Sequence, residues 1–289
     1  MRFSYGEVMC DPQYYISLAK EAENAGFHSF VIPDNLGFPA SFDTSYPYAQ
    51  DGDNAFLEDK PFIEPFTLIP ALGAVTQTLR FTTLVVKLPV RPVYLVAKQA
   101  TSVAVITNNR FAFGVGLSPW PQDFSVCNQD WETRGPRMDE MIEIIRGFAA
   151  GGYYEFHGEH YDIEKFKMCP VPTQAIPILI GGHSEAGLKR AARTGDGWMH
   201  AGGDPQELER LLQRLNELRR QYGRHHLPFE VHAIPQDPFD LDGIKRLAEL
   251  GVTDAVVQLR NVYGPDTQNL IEKIDLLRKY ADQVIGHFR

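Results

Sequence analysis

Short apolar runs alternate along this chain with longer segments in which apolar residues recur at helical spacing, and the alternation predicts eight strand–helix pairs. Arg2 to Gly6 reads as a first strand, followed by a helix from Pro12 to Ala25 that Gly26 closes, with Ile16, Leu18, Ala19 and Ala22 on its buried side. Ser29 to Pro33, Arg80 to Val86 and Phe111 to Gly116 read as the next strands, and Phe66 to Thr76, Val93 to Thr107 and Pro136 to Ala149 as the helices after them. Ile178 to Ile180 and Trp198 to His200 flank a helix beginning near Ser184. The strands Phe229 to Ile234 and Asp254 to Leu259 lead to helices at Leu241 to Leu250 and around Leu270, Ile274 and Leu277. Two long segments break the rhythm: about thirty residues after the second strand, and the stretch Tyr153 to Pro177 before the fifth. Strict alternation over this length favours one α/β domain, a (β/α)8 TIM barrel with those two insertions, over a doubly wound sheet.

In such a barrel the chemistry belongs at the carboxyl ends of the strands. Here those ends carry Glu7, Asp34 and Asn35, the residues after Leu84, Leu117 and Ser118, Gly181 to Ser184, and His200. The segment from Ile176 to His200 is the most informative of them. Gly181-Gly182 lets the backbone turn with no Cβ in the way, and Ser184 is placed to cap the helix that follows. Free amides at a helix start hold anions. Glycine pairs also close many turns that bind nothing, and Glu185 in the first helical turn could satisfy the helix dipole itself. Locally, both readings stand.

Composition narrows the classes. The chain has 289 residues, 44% hydrophobic and 22% charged, with a formal net charge of -9 and no clustered Lys and Arg, which argues against a nucleic-acid surface. The three cysteines are scattered without CxxC spacing, so neither a disulfide framework nor a zinc site is suggested, and a cytoplasmic protein is expected. The first residues carry no export signal and no stretch is long enough to cross a bilayer, so no membrane partner is expected.

Several motifs resemble the luciferase-like monooxygenase superfamily, and more narrowly its branch that uses the deazaflavin coenzyme F420. They are Asn24 to Phe27 with Phe30 to Asp34, Tyr46-Pro47-Tyr48 with Asp51-Gly52, Leu88 to Pro92 with Ala97 to Gln99, and Arg110 to Gly116 with Trp120. Arg134 to Glu140, Ile180 to Gly182 with Arg190 to Ala192, and Gly195 to Trp198 complete the set. The resemblance implies a barrel whose mouth holds a flavin-like cofactor, F420 or alternatively FMN, with its phosphate on Gly181 and Gly182 beside His183 and Ser184. It implies a non-prolyl cis peptide at the end of the third strand, by position Thr83-Leu84, bulging against the ring. Leu84, Val86 and Leu117 would pack on that ring, and Asp34 and Ser118 would bind its edge or the ribityl hydroxyls. The family often has His after the strand-two Asp. This chain has Asn35, which orients an oxygen but cannot shuttle a proton, leaving Glu7 and His200 as the ionisable candidates. The implied activity is hydride transfer to or from a small organic substrate. An FMN-dependent monooxygenase and a non-catalytic flavin-binding barrel are the alternatives, and a homodimer is implied by the resemblance alone.

Overall fold

In the computed structural model, which describes residues 1–41 and 54–288, eight parallel strands close into a barrel. The first are β1 (Arg2–Tyr5), β2 (Ser29–Ile32) and β3 (Arg80–Thr83), which continues beyond an interruption as β4 (Val86–Lys87). Next come β5 (Phe111–Gly116), an inserted pair β6 (Tyr153–His157) and β7 (Asp162–Lys167), and β8 (Ile178–Gly181). The circle is completed by β9 (Gly197–Met199), β10 (Glu230–Ala233) and β11 (Asp254–Val257). Closure is made at both seams: β1 pairs with β11 through Arg2↔Asp254 to Tyr5↔Val257, and β3 pairs with β5 through Phe81↔Phe111 and Thr82↔Ala112.

The outer ring is α1 (Tyr15–Ala25), α2 (Pro65–Ala74), α3 (Val93–Ile106), the short α4 (Pro121–Val126), α5 (Arg134–Ala149), α6 (Glu185–Thr194), α7 (Pro205–Gln221), α8 (Leu241–Glu249) and α9 (Leu270–Gln283). Local chemistry sets their ends. Gly26 takes the left-handed conformation (φ 86°) that stops α1, and Asn269 with Glu272 forms a reciprocal capping box at the start of α9. Within α1 the buried face is Tyr15, Leu18, Ala19 and Ala22, whereas Ile16, expected there, is 46% exposed, because residues one apart lie on different faces of a helix. None of the described helices is long and apolar enough to cross a membrane.

Alternation along the strands divides the core. Trp198, Ile178 and Ile180 belong to the large cluster between barrel and helices, while Met199, Leu179 and Ala112 form a small separate cluster with Leu84 and Val85. The amino end of the barrel is closed by ions: Arg80 grips Glu230 with two bonds of 2.9 Å, Arg2 reaches Asp254 at 2.5 Å, and His232 Nε2 lies 2.8 Å from Glu230. Burial by itself would raise the Glu230 carboxyl, but His232 and Arg80 hold it well below the usual carboxylate range. This end serves stability. The segment before the fifth barrel strand is an antiparallel hairpin, β6 with β7, and His157 pairs there with Asp162 at 2.6 Å in solvent.

Candidate functional site at the barrel mouth

The turn after β8 has the geometry of an anion cradle. Gly182 sits at φ +131°, a conformation that L side chains rarely adopt, with nothing nearer than 4.0 Å to a Cβ placed there. Ser184 is extended and its hydroxyl accepts the Gly187 amide at 3.1 Å, so Ser184 offers the site its backbone rather than its side chain. Glu185 and Ala186, the first two residues of α6, have no carbonyl behind them within the helix, and their amides project from its start. The Glu185 carboxylate does not compete for them. It is drawn away to Arg214 (2.7 and 3.1 Å) and Lys189 (3.6 Å), and the Arg214 bonds are the main reason its carboxyl is lowered. Trp198 Nε1 donates to the Gly182 carbonyl at 2.9 Å and pins the turn to β9.

The interruption between β3 and β4 builds an apolar shelf facing this turn. A cis peptide is present, but it joins Leu84 to Val85, one residue beyond the Thr83-Leu84 position expected. Thr83 still belongs to the strand: it pairs with Ile32 and its hydroxyl donates to the Gly114 carbonyl at 2.8 Å, so the chain departs only after Leu84. Val85 then lies over two glycines, since a Cβ on Gly116 would stand 2.7 Å, and one on Gly181 2.8 Å, from its methyl groups. Gly114 is tighter still, its Cβ position being 1.8 Å from the Thr83 carbonyl oxygen. Leu84, Val85 and Leu117 are half-buried, the condition for a packing surface. Val86, expected on such a surface, is not part of it: it is fully buried in the outer core and pairs with Val115, and its neighbour Val85 is the half-buried one. Thr83 is likewise fully buried.

A chain of buried charges fills the space below β2 and β5. Both oxygens of Asp34 are held by Arg91 at 2.8 Å, and the Lys87 amide adds a third bond at 2.9 Å, so this carboxylate is closed to a ring edge or ribityl group. Lys87 Nζ donates to Asp123 (2.6 Å) and to Asn35 Oδ1 (2.9 Å) and lies 4.6 Å from the Trp120 ring centre. Ser118 donates to the same Asp123 carboxylate and accepts the Trp120 amide at 3.1 Å. Lys87, Arg91 and Asp123 were not singled out as site residues from the sequence. For Lys87 and Arg91 the signal was there, as two cations inside the otherwise apolar run Val85 to Pro92.

The two ionisable candidates are both taken up by neighbouring groups. Glu7 is 3% exposed and lies between Arg260 (3.0 Å), Lys273 (3.2 Å) and the Tyr5 hydroxyl (3.0 Å), a saturated carboxylate beneath α9. His200 stacks on His183 with ring centres 4.4 Å apart and planes 6° from parallel. The Gly202 amide donates to His200 Nδ1 and the Ala201 amide to His183 Nε2, each at 3.2 Å. Those nitrogens therefore carry lone pairs, and the His200 proton sits on Nε2, which is buried with no hydrogen-bond partner among the described residues. Burial, with His183 beside it, pushes the His200 imidazole down to about 3, so it is neutral across the physiological range and is no cationic acid.

A pH dependence follows from this pair. Below about pH 6.5 the unfolded chain protonates His200 while the folded chain does not, so stability present above that pH falls by up to about 1.4 kcal/mol per unit as pH drops toward 3. Urea midpoints at pH 7 and pH 5 should fall more in the native protein than in His200→Asn, which keeps an acceptor for Gly202. Equal falls would show that His200 takes its proton in the folded state.

A cleft of about 1290 Å3 opens beside the histidine pair at the carboxyl ends of β9, β10 and β11, lined by Phe56, Gly202, Ile234, Gln258 and Tyr263 among others. The Gly181 turn, the Leu84–Val85 shelf and this cleft all lie at the carboxyl end of the barrel. The Tyr46-Pro47-Tyr48 and Asp51-Gly52 motifs fall outside the described residues.

Comparison with known proteins agrees with this architecture. The family described as "Luciferase-like monooxygenase" matches residues 4–234. An uncharacterized protein of Mycobacterium tuberculosis is 54% identical over 288 residues, covering 99% of each chain. Among solved structures, monooxygenase RslO1 from Streptomyces bottropensis superposes with TM-score 0.76 at 17% identity over 100% of each chain. The coenzyme F420 dependent tetrahydromethanopterin reductase from Methanopyrus kandleri superposes equally, TM-score 0.76 at 16% identity, over 100% of this chain and 99% of that one. With the family match running through eight-tenths of its length, from β1 to the end of β10, the chain belongs to the luciferase-like monooxygenase family, and its fold is the family's (β/α)8 barrel.

Proposed function

We propose that this protein is an oxidoreductase that binds coenzyme F420 and moves a hydride between it and a small organic substrate. The observation that carries this reading is the pairing, across one mouth, of the amide-lined turn Gly181 to Ala186 with the apolar shelf of Leu84 and Val85: one suits a phosphoryl group, the other a flat ring. The sequence resemblance to the F420 branch and the full-length likeness to an F420-dependent reductase support the choice of coenzyme. When bound, the deazaflavin supplies a ring carbon that gives or accepts a hydride.

The residues of this chain have separate tasks. The amides of Gly182 to Ala186 hold the phosphoryl end, Leu84, Val85 and Leu117 pack on one face of the ring, and the other face is left to substrate. Glu7 and His200, the side chains first considered for acid or base work, are engaged elsewhere, as is Asp34, and the reacting centre is left to Asn35, which orients an oxygen without taking its proton. A second reading, an FMN-dependent monooxygenase, is favoured by the equal likeness to RslO1. Titration of the purified protein with F420 and with FMN, read by quenching of Trp198 beside the turn, separates them. Saturable quenching by F420, at concentrations where FMN gives none, is expected. The reverse order supports the monooxygenase, and quenching by neither ends both readings. Cofactor binding without turnover of any alcohol, ketone or enone would leave a flavin-binding barrel.

A further inference from the structure

We infer that Gln258 reads the edge of a planar cyclic amide, pairing with its adjacent N–H and C=O through two hydrogen bonds. The inference rests on the reading above only for what that molecule is: the coenzyme's own ring edge, or a lactam or imide substrate. Along β11, Ala255 and Val257 belong to the outer core, so Asp254, Val256 and Gln258 face the barrel axis. A Cβ on Gly6 would stand 3.2 Å from Val256 Cγ1 and 3.5 Å from Gln258 Cγ, which puts the glutamine over the end of β1. Carried to the strand ends, the same inner face shows a glycine or an apolar residue on every other barrel strand, Gly6, Leu84, Gly116, Gly181, Ala201 and Ile234 among them. Among the described residues, Gln258 is the one hydrogen-bonding side chain in that layer. It is half-buried, and its side-chain amide makes no hydrogen bond to a described residue.

The surroundings select the ligand. Gln258 lines the cleft of about 1290 Å3, whose walls include the Phe56 and Tyr263 rings, 5.0 Å apart, with Ile234 and Pro235, and such walls suit a flat apolar body. The charged residues of the lining are already engaged. Arg260 is bonded to Glu7 at 3.0 Å and to the Val8 carbonyl, and Asp204 caps α7 by accepting the Gln206 amide at 3.0 Å. An ionised ligand therefore meets no free opposite charge among the described lining residues, and an uncharged one is favoured. A carboxamide donates from its NH2 group and accepts at its oxygen. A ketone or an ether answers only the donor, whereas an amide held cis in a ring answers both from one edge. The cleft also adjoins the anion turn, because Ala201 lines it and donates its amide to His183, the residue after Gly182.

The test reads the side-chain amide of Gln258 in 15N-labelled protein without coenzyme, its NH2 pair being assigned by its loss in Gln258→Leu. The probes are 2-pyridone, a flat lactam with N–H beside C=O, and N-methyl-2-pyridone, the same ring without the donor. 2-Pyridone is expected to shift the Gln258 pair and to bind about tenfold more tightly than its N-methyl analogue, the worth of one hydrogen bond. In Gln258→Leu the two probes should bind alike, at the level of the analogue. Gln258 has no side-chain hydrogen bond to a described residue to lose, so this variant is expected to fold as the native protein does. The titration is then repeated with F420 bound. If F420 itself moves the Gln258 pair and abolishes the 2-pyridone shift, the edge belongs to the coenzyme; if the shift persists, it belongs to a substrate. Equal affinity of the two probes in the native protein, no shift at any soluble concentration of 2-pyridone, or shifts at Asn35 or Asn261 with Gln258 unmoved overturns the inference. Failure to bind F420 overturns the proposed function and leaves the 2-pyridone result standing.

Discussion

Replacing Arg91 with methionine is expected to lower the stability of the fold by about 3–5 kcal/mol. The Asp34 side chain is fully buried, and both of its oxygens lie 2.8 Å from the Arg91 guanidinium. Removing one partner leaves a carboxylate in the interior with only the Lys87 amide to hold it, and an uncompensated buried charge costs far more than the pair contributes. Arg91 also donates to the Lys87 carbonyl at 3.1 Å, so its loss loosens the backbone that carries Lys87 to Asn35. The double variant Arg91→Met/Asp34→Leu should recover most of the loss, because apolar side chains in place of a buried pair are often neutral. Urea unfolding of the three proteins measures this. A loss below about 1 kcal/mol in Arg91→Met, the scale of an exposed pair, would mean that water reaches Asp34.

The barrel itself was legible because its signal is periodic. Each strand is a short apolar run and each helix a spaced one, and both survive in the letters from Phe3 to Leu277. The turn at Gly181 was legible for a similar reason: strand, glycines, cap and helix are contiguous in sequence, and only the direction taken by Glu185 depends on Arg214, twenty-nine residues away. What was not legible depends on neighbours across the barrel. The bulge falls at Val85 because Gly116 on β5 and Gly181 on β8 leave room for it, and no property of the third strand alone places it there.

The acid/base candidates Glu7 and His200, and the ring-edge candidate Asp34, are taken up by buried networks for a simpler reason. Glu7 is two residues beyond Tyr5, Asp34 two beyond Ile32 and His200 two beyond Trp198, all three of which pack in the layer between barrel and helices. Side chains two apart on a strand share a face, so Glu7, Asp34 and His200 continue that outer face into buried networks. Asn35, one residue out of step with Asp34, turns to a cavity instead. Position at a strand end placed all four at the mouth; the period of two separates Asn35 from the rest.

The phosphoryl cradle is tested by adding charge to it without disturbing the helix. Ser184→Asp keeps an N-cap of equal quality and puts an acid where the helix dipole favours one, so the thermal midpoint of the free protein should hold or rise. The new carboxylate would face a bound phosphoryl group, and like charges in contact cost several kcal/mol before screening. Titration of the native and Ser184→Asp proteins with F420 at low and high salt is therefore the most direct measurement. Affinity about 100-fold lower in Ser184→Asp at low salt, with the gap narrowing at high salt, is the expected result. Equal affinity in the two proteins, each folded, would put the coenzyme's phosphate somewhere other than the Gly181 turn.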